Sequence, residues 1–282
     1  MGRPISSDLI MADDLKTADA FATSWNNLPP GSVYTRAQFE EWFAPLIRAD
    51  AEGREVLELG CGNGSLLFHM ASWRPAQLEG IDLGASVLSA RRNLSSQEHK
   101  NWVVNQGDLT TYRDRPRDLV YSIGVLHHLQ NPRVGFESVL ANTKSGGRFH
   151  CWVYAHEGNG VIRWVVDPIR KVASHLPWWF TKYLVATPLV IPYFFYAKLI
   201  SRWRGLPGLP ALPLYDYSLW IADRGFAFFR HVAFDQLVTP QTVYLDRATI
   251  EGWLAQPDRI VPGSTYLIFR NGNSWKFGGV AR

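Results

Sequence analysis

The stretch "VLELGCGNG", residues 56–64, sets glycines at positions 60, 62 and 64 directly behind a short apolar run. The run reads as a buried strand. Glycines behind it let a turn adopt positive φ and let a ligand approach the main chain closely. Asp82 ends a second apolar run, "QLEGIDL" (77–83), 18 residues after Gly64. A carboxylate so placed can accept hydrogen bonds from both hydroxyls of a ribose, whereas alone it would read as a helix N-cap.

Outward from this pair the chain alternates strand and helix. "EVLELG" is followed by the helical "SLLFHMASW", opened by Ser65. "QLEGIDL" is followed by the helical "ASVLSARRNL", and then come the strands "WVVNQGDL" and "DLVYSIGVL", a helix over 132–143 and the strand "GGRFHCWVY". Such alternation predicts parallel pairing, with helices on both faces. Before it, "TRAQFEEWFAPLI" carries Phe39, Trp42, Phe43 and Leu46 at helical spacing, with Thr35 as N-cap. After it come a helix over 247–256 and two apolar runs, "STYLIFR" and "WKFGGVA", separated by "NGNS", which signals an antiparallel hairpin. The expected units are a helical lid (1–50), a core (51–155 and 241–282) and an aromatic helical insertion (156–240).

Composition sets the class. The chain has 282 residues, 46% hydrophobic and 19% charged, and reads as a folded globular protein. A net charge of +4, with no long block of like charges, does not point to nucleic acid. Cys61 and Cys151 suit neither a disulfide framework nor a zinc site, and no metal is expected. They read as reduced thiols of a cytoplasmic protein. The N-terminus has early acids and no apolar segment, unlike a signal peptide.

Two features separate the glycine motif from a dinucleotide fingerprint. The third glycine comes one residue early, and "GD" at 107–108 places an acid at the end of the third strand, where an adenine amino group would be read. With the closing hairpin, the chain resembles class I S-adenosylmethionine-dependent methyltransferases. "VLELGCGNG", "GIDL", "GDL", "DLVYSIGVLHHL" and "GGRF" match that family's motifs in order and spacing across about residues 55–155. The resemblance implies a Rossmann-like, mostly parallel seven-stranded α/β sheet in the order 3-2-1-4-5-7-6, with the last strand antiparallel. It implies S-adenosylmethionine as cofactor. Gly60, Gly62 and Gly64, with Cys61 and Asn63, would approach its amino-acid portion, and Glu58 would position its ammonium. Asp82, followed by Leu83, would hold the ribose, Asp108 and Leu109 would flank the adenine, and Ile123 with Gly124 would form the floor.

Methyl transfer needs alignment, exclusion of water and, for a protic acceptor, a base. His127, in "LHHL" at the ligand edge of the fourth strand, is the candidate base, because histidine titrates near neutrality. Trp25 and Tyr34 belong to a stretch similar to an N-terminal lid of the family, and either offers an aromatic face to the sulfonium or packs the lid. Tyr154, His156 and Glu157, in "YAHEGNG", leave the fifth strand at the same edge and are candidates to face the acceptor.

The segment "LPWWFTKYLVATPLVIPYFFYAKLISRWRG" carries no charge over 183–197, but Pro188 and Pro192 interrupt it. It reads as too short and too broken to span a membrane. A cap over an apolar acceptor pocket is the favoured reading, because a cap also excludes water. A membrane-surface segment and a dimer interface are the alternatives. The expected function is methyl transfer to oxygen or nitrogen of an apolar or aromatic small molecule, with a membrane-surface enzyme for a quinone- or lipid-like acceptor as the second reading. The sequence leaves the oligomeric state open.

Overall fold

The computed structural model describes residues 7–26, 34–239 and 241–282, with side chains of the first segment described over 14–23. Its sheet runs β3-β2-β1-β4-β5-β7-β6. The strands are β1 (Glu55–Leu59), β2 (Gln77–Asp82), β3 (Trp102–Gln106), β4 (Arg117–Ile123), β5 (Thr143–Tyr154), β6 (Tyr266–Arg270) and β7 (Ser274–Val280). All pairs from β3 to β5 are parallel, and β7 runs antiparallel to both neighbours. The expected topology is therefore the observed one. The chain leaves β1 toward β2 on one side and returns to β4 on the other, which opens a crevice at the carboxyl ends of β1 and β4.

Strand periodicity divides the core in two. Val56, Leu119, Tyr121 and Ile123 point to one face of the sheet, and Leu57, Leu59 and Val120 to the other. The helices are α1 (Ser7–Asn26), α2 (Arg36–Phe43), α3 (Ser65–Met70), α4 (Val87–Ser95), α5 (Pro132–Ala141), α6 (Asp167–Ala173), α7 (Trp178–Phe180), α8 (Thr187–Arg202), α9 (Tyr215–Ala222), α10 (Phe226–Val238) and α11 (Arg247–Leu254). The first face carries α2, α3 and α4, and the second carries α5 and α11. Thr35 caps α2 as expected, with Gln38 N donating to its hydroxyl at 3.2 Å and Thr35 N donating back to Gln38 Oε1 at 2.9 Å. Phe39 and Phe43 are buried beside Trp73, so α2 is built into the core.

The insertion departs from expectation in one respect. Residues Trp178–Arg202 form one uninterrupted 25-residue helical run, long and apolar enough by composition to cross a membrane. Pro188 and Pro192 do not break it. A wider π turn over Thr181–Ala186 precedes Pro188, and Thr187 Oγ1 donates to Lys182 O at 3.0 Å. A π turn absorbs the register change that a missing proline N–H would otherwise impose.

Candidate active site

The loop after β1 is fastened to β2. The amides of Gly60 and Cys61 donate to Ile81 O at 2.7 and 3.0 Å, and the Gly62 amide donates to Asp82 Oδ2 at 2.8 Å. Gly60 has φ +85°, and a Cβ there would lie 2.5 Å from Val125 Cγ2, so only glycine fits. Gly64, the third glycine of the motif, is set against α4. It does not line the cavity, and a Cβ on it would meet Ala90 of α4 at 2.9 Å. Its role is close packing of the loop on α4, and it also stands as the left-handed cap of α3. Ser65 is held by Asn63 Oδ1, which accepts from its amide at 3.1 Å and its hydroxyl at 2.6 Å.

One cavity opens over this loop. Glu58, Gly60, Cys61, Gly62, Asn63, Asp82, Leu83, Asp108, Leu109, Ile123 and Gly124 all line it. Asp82 Oδ1 accepts from Gly84 N at 3.0 Å and Ser86 Oγ at 2.8 Å, so this carboxylate also organises the turn into α4. Its two oxygens offer about four acceptor sites, and these three bonds leave one, on Oδ2, for a ribose hydroxyl. Glu58 is buried and accepts from Tyr121 Oη at 3.1 Å. Burial pushes its carboxyl well above the ordinary carboxylate range.

The charge of this wall tests the cofactor. Asp14, Glu58, Asp82, Asp108 and Asp235 line the cavity, and Arg270 is the one Lys or Arg among the described lining residues. Arg270 is already paired with Glu41 at 2.7 Å and lies against the rings of Trp42 and Trp220. An acid-walled site repels a pyrophosphate and suits a ligand bearing sulfonium and ammonium charges. The residues present fit S-adenosylmethionine.

Aromatic side chains line the same cavity: Tyr34 and Tyr154 are joined by Trp152, Tyr217, Trp220 and Phe228, with Asp235, Gln236 and Asn273 among the polar groups. Burial raises the Tyr154 hydroxyl to about 12, so it stays protonated. Trp25 lies on α1, but its side chain falls outside the described residues.

Three sequence candidates stand elsewhere. His127 is wholly buried, packed against the tilted rings of His128 and Tyr154 with centroids 4.2 Å away in each case, and does not line the cavity. Burial depresses its basicity strongly. His128 lines the cavity instead, because the 3-10 turn Leu126–His128 turns adjacent side chains to different sides. Its Nδ1 donates to Gln241 O at 3.1 Å, and burial lowers its pKa to about 4. His156 is bonded to Arg163, and Glu157 accepts from Arg247 N at 2.9 Å and Trp275 Nε1 at 3.1 Å. Neither lines the cavity: Glu157 ties α11 to β7, and His156 faces the start of the insertion.

The roof also differs from expectation. Tyr217, Trp220, Phe228 and Val232 of α9 and α10 cover the cavity, and no lining residue falls between 163 and 213. The apolar run 183–200 therefore does not face the site. The polar residues of the roof had one sequence signal. In the largely apolar "FAFFRHVAFDQLV", His231 and Asp235 sit one helical turn apart, and Nε2 of the first lies 3.3 Å from Oδ2 of the second.

Residues 57–149 match the family model described as a methyltransferase domain. An uncharacterized protein of Synechococcus sp. is 30% identical over 153 residues, which make up 50% of this chain and 35% of that protein. A tRNA U34 carboxymethyltransferase of Idiomarina loihiensis is 27% identical over 141 residues, 46% of this chain and 42% of that protein. The chain thus spans less than half the length of these relatives. Magnesium protoporphyrin IX methyltransferase of Synechocystis PCC 6803, solved with bound SAH, is similar with a TM-score of 0.51 at 14% identity, over 88% of this chain and 83% of that one. That likeness is one of fold. Residues 57–149 thus carry a methyltransferase domain, and the sheet around them has the fold of the class I S-adenosylmethionine-dependent methyltransferases.

Proposed function

We propose that the chain transfers a methyl group from S-adenosylmethionine to oxygen or nitrogen of an apolar or aromatic small molecule in the cytoplasm. The observation that carries this reading is that one continuous cavity is lined both by Glu58, Asp82 and Asp108 and by Trp152, Tyr154, Tyr217 and Trp220. When bound, the cofactor supplies an electrophilic methyl on a sulfonium. Glu58 and Asp82 would hold its ammonium and ribose, and the aromatic walls would exclude water and grip a flat acceptor. Asp235, backed by His231, is the cavity carboxylate placed to take the acceptor's proton. The buried free thiols of Cys61 and Cys151 suit a reducing compartment.

The test is incorporation of labelled methyl from S-adenosylmethionine into a panel of aromatic phenols and amines, run beside transfer RNA. Turnover of a panel member that Trp220→Ala lowers at least tenfold, with cofactor affinity retained, supports the reading. Labelling of RNA alone overturns the acceptor class.

A further inference from the structure

The run Trp178–Arg202 is apolar on two sides, and the protein covers only one. Ala186, Val190 and Ala197 are buried against α9 and α10, and Ile200 is buried as well. On the other side Leu184, Pro188, Ile191, Phe195 and Leu199 recur at spacings of three and four and are all exposed, Phe195 to 70%. A helix apolar all round is normally enclosed on every side. The stripe continues at Trp203 and Leu206 beyond the helix, both exposed. At its other end Trp179 and Val172 are exposed beside a groove lined by Ile169, Leu176 and Val185.

Charge identifies what covers it. Residues 158–215 contain seven Lys and Arg (163, 170, 171, 182, 198, 202 and 204) and one acid, Asp167. Arg170 pairs with Asp167 at 2.8 Å and Lys198 Nζ donates to Ala222 O at 2.6 Å, while Lys171, Arg202 and Arg204 are exposed around the ends of the stripe. A second copy docked face to face would bring these like charges together, because both ends of the run are basic. An anionic lipid surface complements them, and exposed Trp with flanking Lys and Arg is the composition of an interfacial segment.

We infer that the outer face of α7 and α8 docks on an anionic lipid bilayer, lying in its interface and not spanning it. The same helices carry α9 and α10 on their inner side, so docking holds the cavity roof against the lipid. A bilayer also supplies apolar acceptors. That last step alone rests on the proposed methyl transfer.

Vesicle flotation with the whole chain tests the inference, using phosphatidylcholine vesicles with and without 30% phosphatidylglycerol (about one lipid in three, enough to set a negative surface potential). The protein should float with the anionic vesicles at least tenfold more than with neutral ones. Binding should fall severalfold as salt screens the charges over a Debye length of about 8–10 Å. Phe195→Glu with Leu199→Glu should abolish flotation and leave cofactor affinity by calorimetry unchanged. Lys171→Gln with Arg202→Gln and Arg204→Gln leaves the apolar stripe intact and should remove the preference for anionic lipid. Failure of the wild-type chain to float overturns the inference, as does a dimer that Phe195→Glu dissociates without any vesicle binding. Resistance of the vesicle-bound chain to alkaline carbonate extraction also overturns it, since that marks a spanning segment. Cofactor calorimetry reads the methyl-transfer proposal separately.

Discussion

The Gly62 amide donates to Asp82 Oδ2 at 2.8 Å, so the residue expected to hold a ribose also fastens the glycine loop to the tip of β2. Replacing Asp82 disturbs both. Asp82→Ala should weaken S-adenosylmethionine binding by about 1.5–3 kcal/mol, the scale of lost hydrogen bonds to a charged group. Isothermal calorimetry measures it, and wild-type affinity in the variant contradicts the ribose role.

Glu58 gives a proton-linked prediction. Its carboxyl is raised by burial from an ordinary 4.5, so the folded protein holds its proton into a higher pH range than the unfolded chain does. This favours the fold below the unfolded value, and the benefit is lost as pH rises through the folded one. Glu58→Gln should therefore raise the melting temperature of the ligand-free protein near neutral pH. A cofactor ammonium beside Glu58 should expel its proton, so the binding enthalpy of the wild type should vary with the ionisation enthalpy of the buffer. That variation should vanish in Glu58→Gln, together with about 1–3 kcal/mol of affinity.

Acid stability follows from the buried histidines. His150 Nε2 donates to Trp42 O at 2.9 Å and its Nδ1 accepts from Tyr266 Oη at 2.6 Å, which fixes the neutral tautomer. Burial depresses its pKa from 6.5 to about 4. The unfolded chain takes up this proton first, so stability should fall as pH drops from 6.5 through 4, by up to about 3 kcal/mol. His128, also lowered to about 4, adds to the same window. Urea titrations at pH 7 and pH 5 should show the loss, and His150→Gln should show a smaller one.

The two candidate bases separate by kinetics. Asp235→Asn should lower turnover of a protic acceptor by about 10²–10⁴ and remove the acid limb of its pH profile, with cofactor affinity intact. His127→Phe should change stability and leave that limb in place. The reverse pattern would restore His127 as the base despite its enclosed position.

Local sequence determined the frame. In β1 and β4, alternate residues enter different cores, and strand periodicity is a property of consecutive residues. The glycine loop and Asp82 were legible because a turn of positive φ and an acid at a strand end are local requirements with few alternatives. Tertiary structure decided what those residues face. His127 and His128 are neighbours of one type, and only packing around their 3-10 turn puts the second at the cavity and the first behind it. Gly64 reads like Gly60 and Gly62, yet the approach of α4 assigns it to packing. Trp42, Asp235 and Arg270 reach the cavity from elements far apart in the chain, a convergence that no local spacing records. The run 183–200 is apolar on both sides, so its own periodicity does not tell the covered side from the open one. Contact with α9 and α10 does, since burial is a property of what lies opposite.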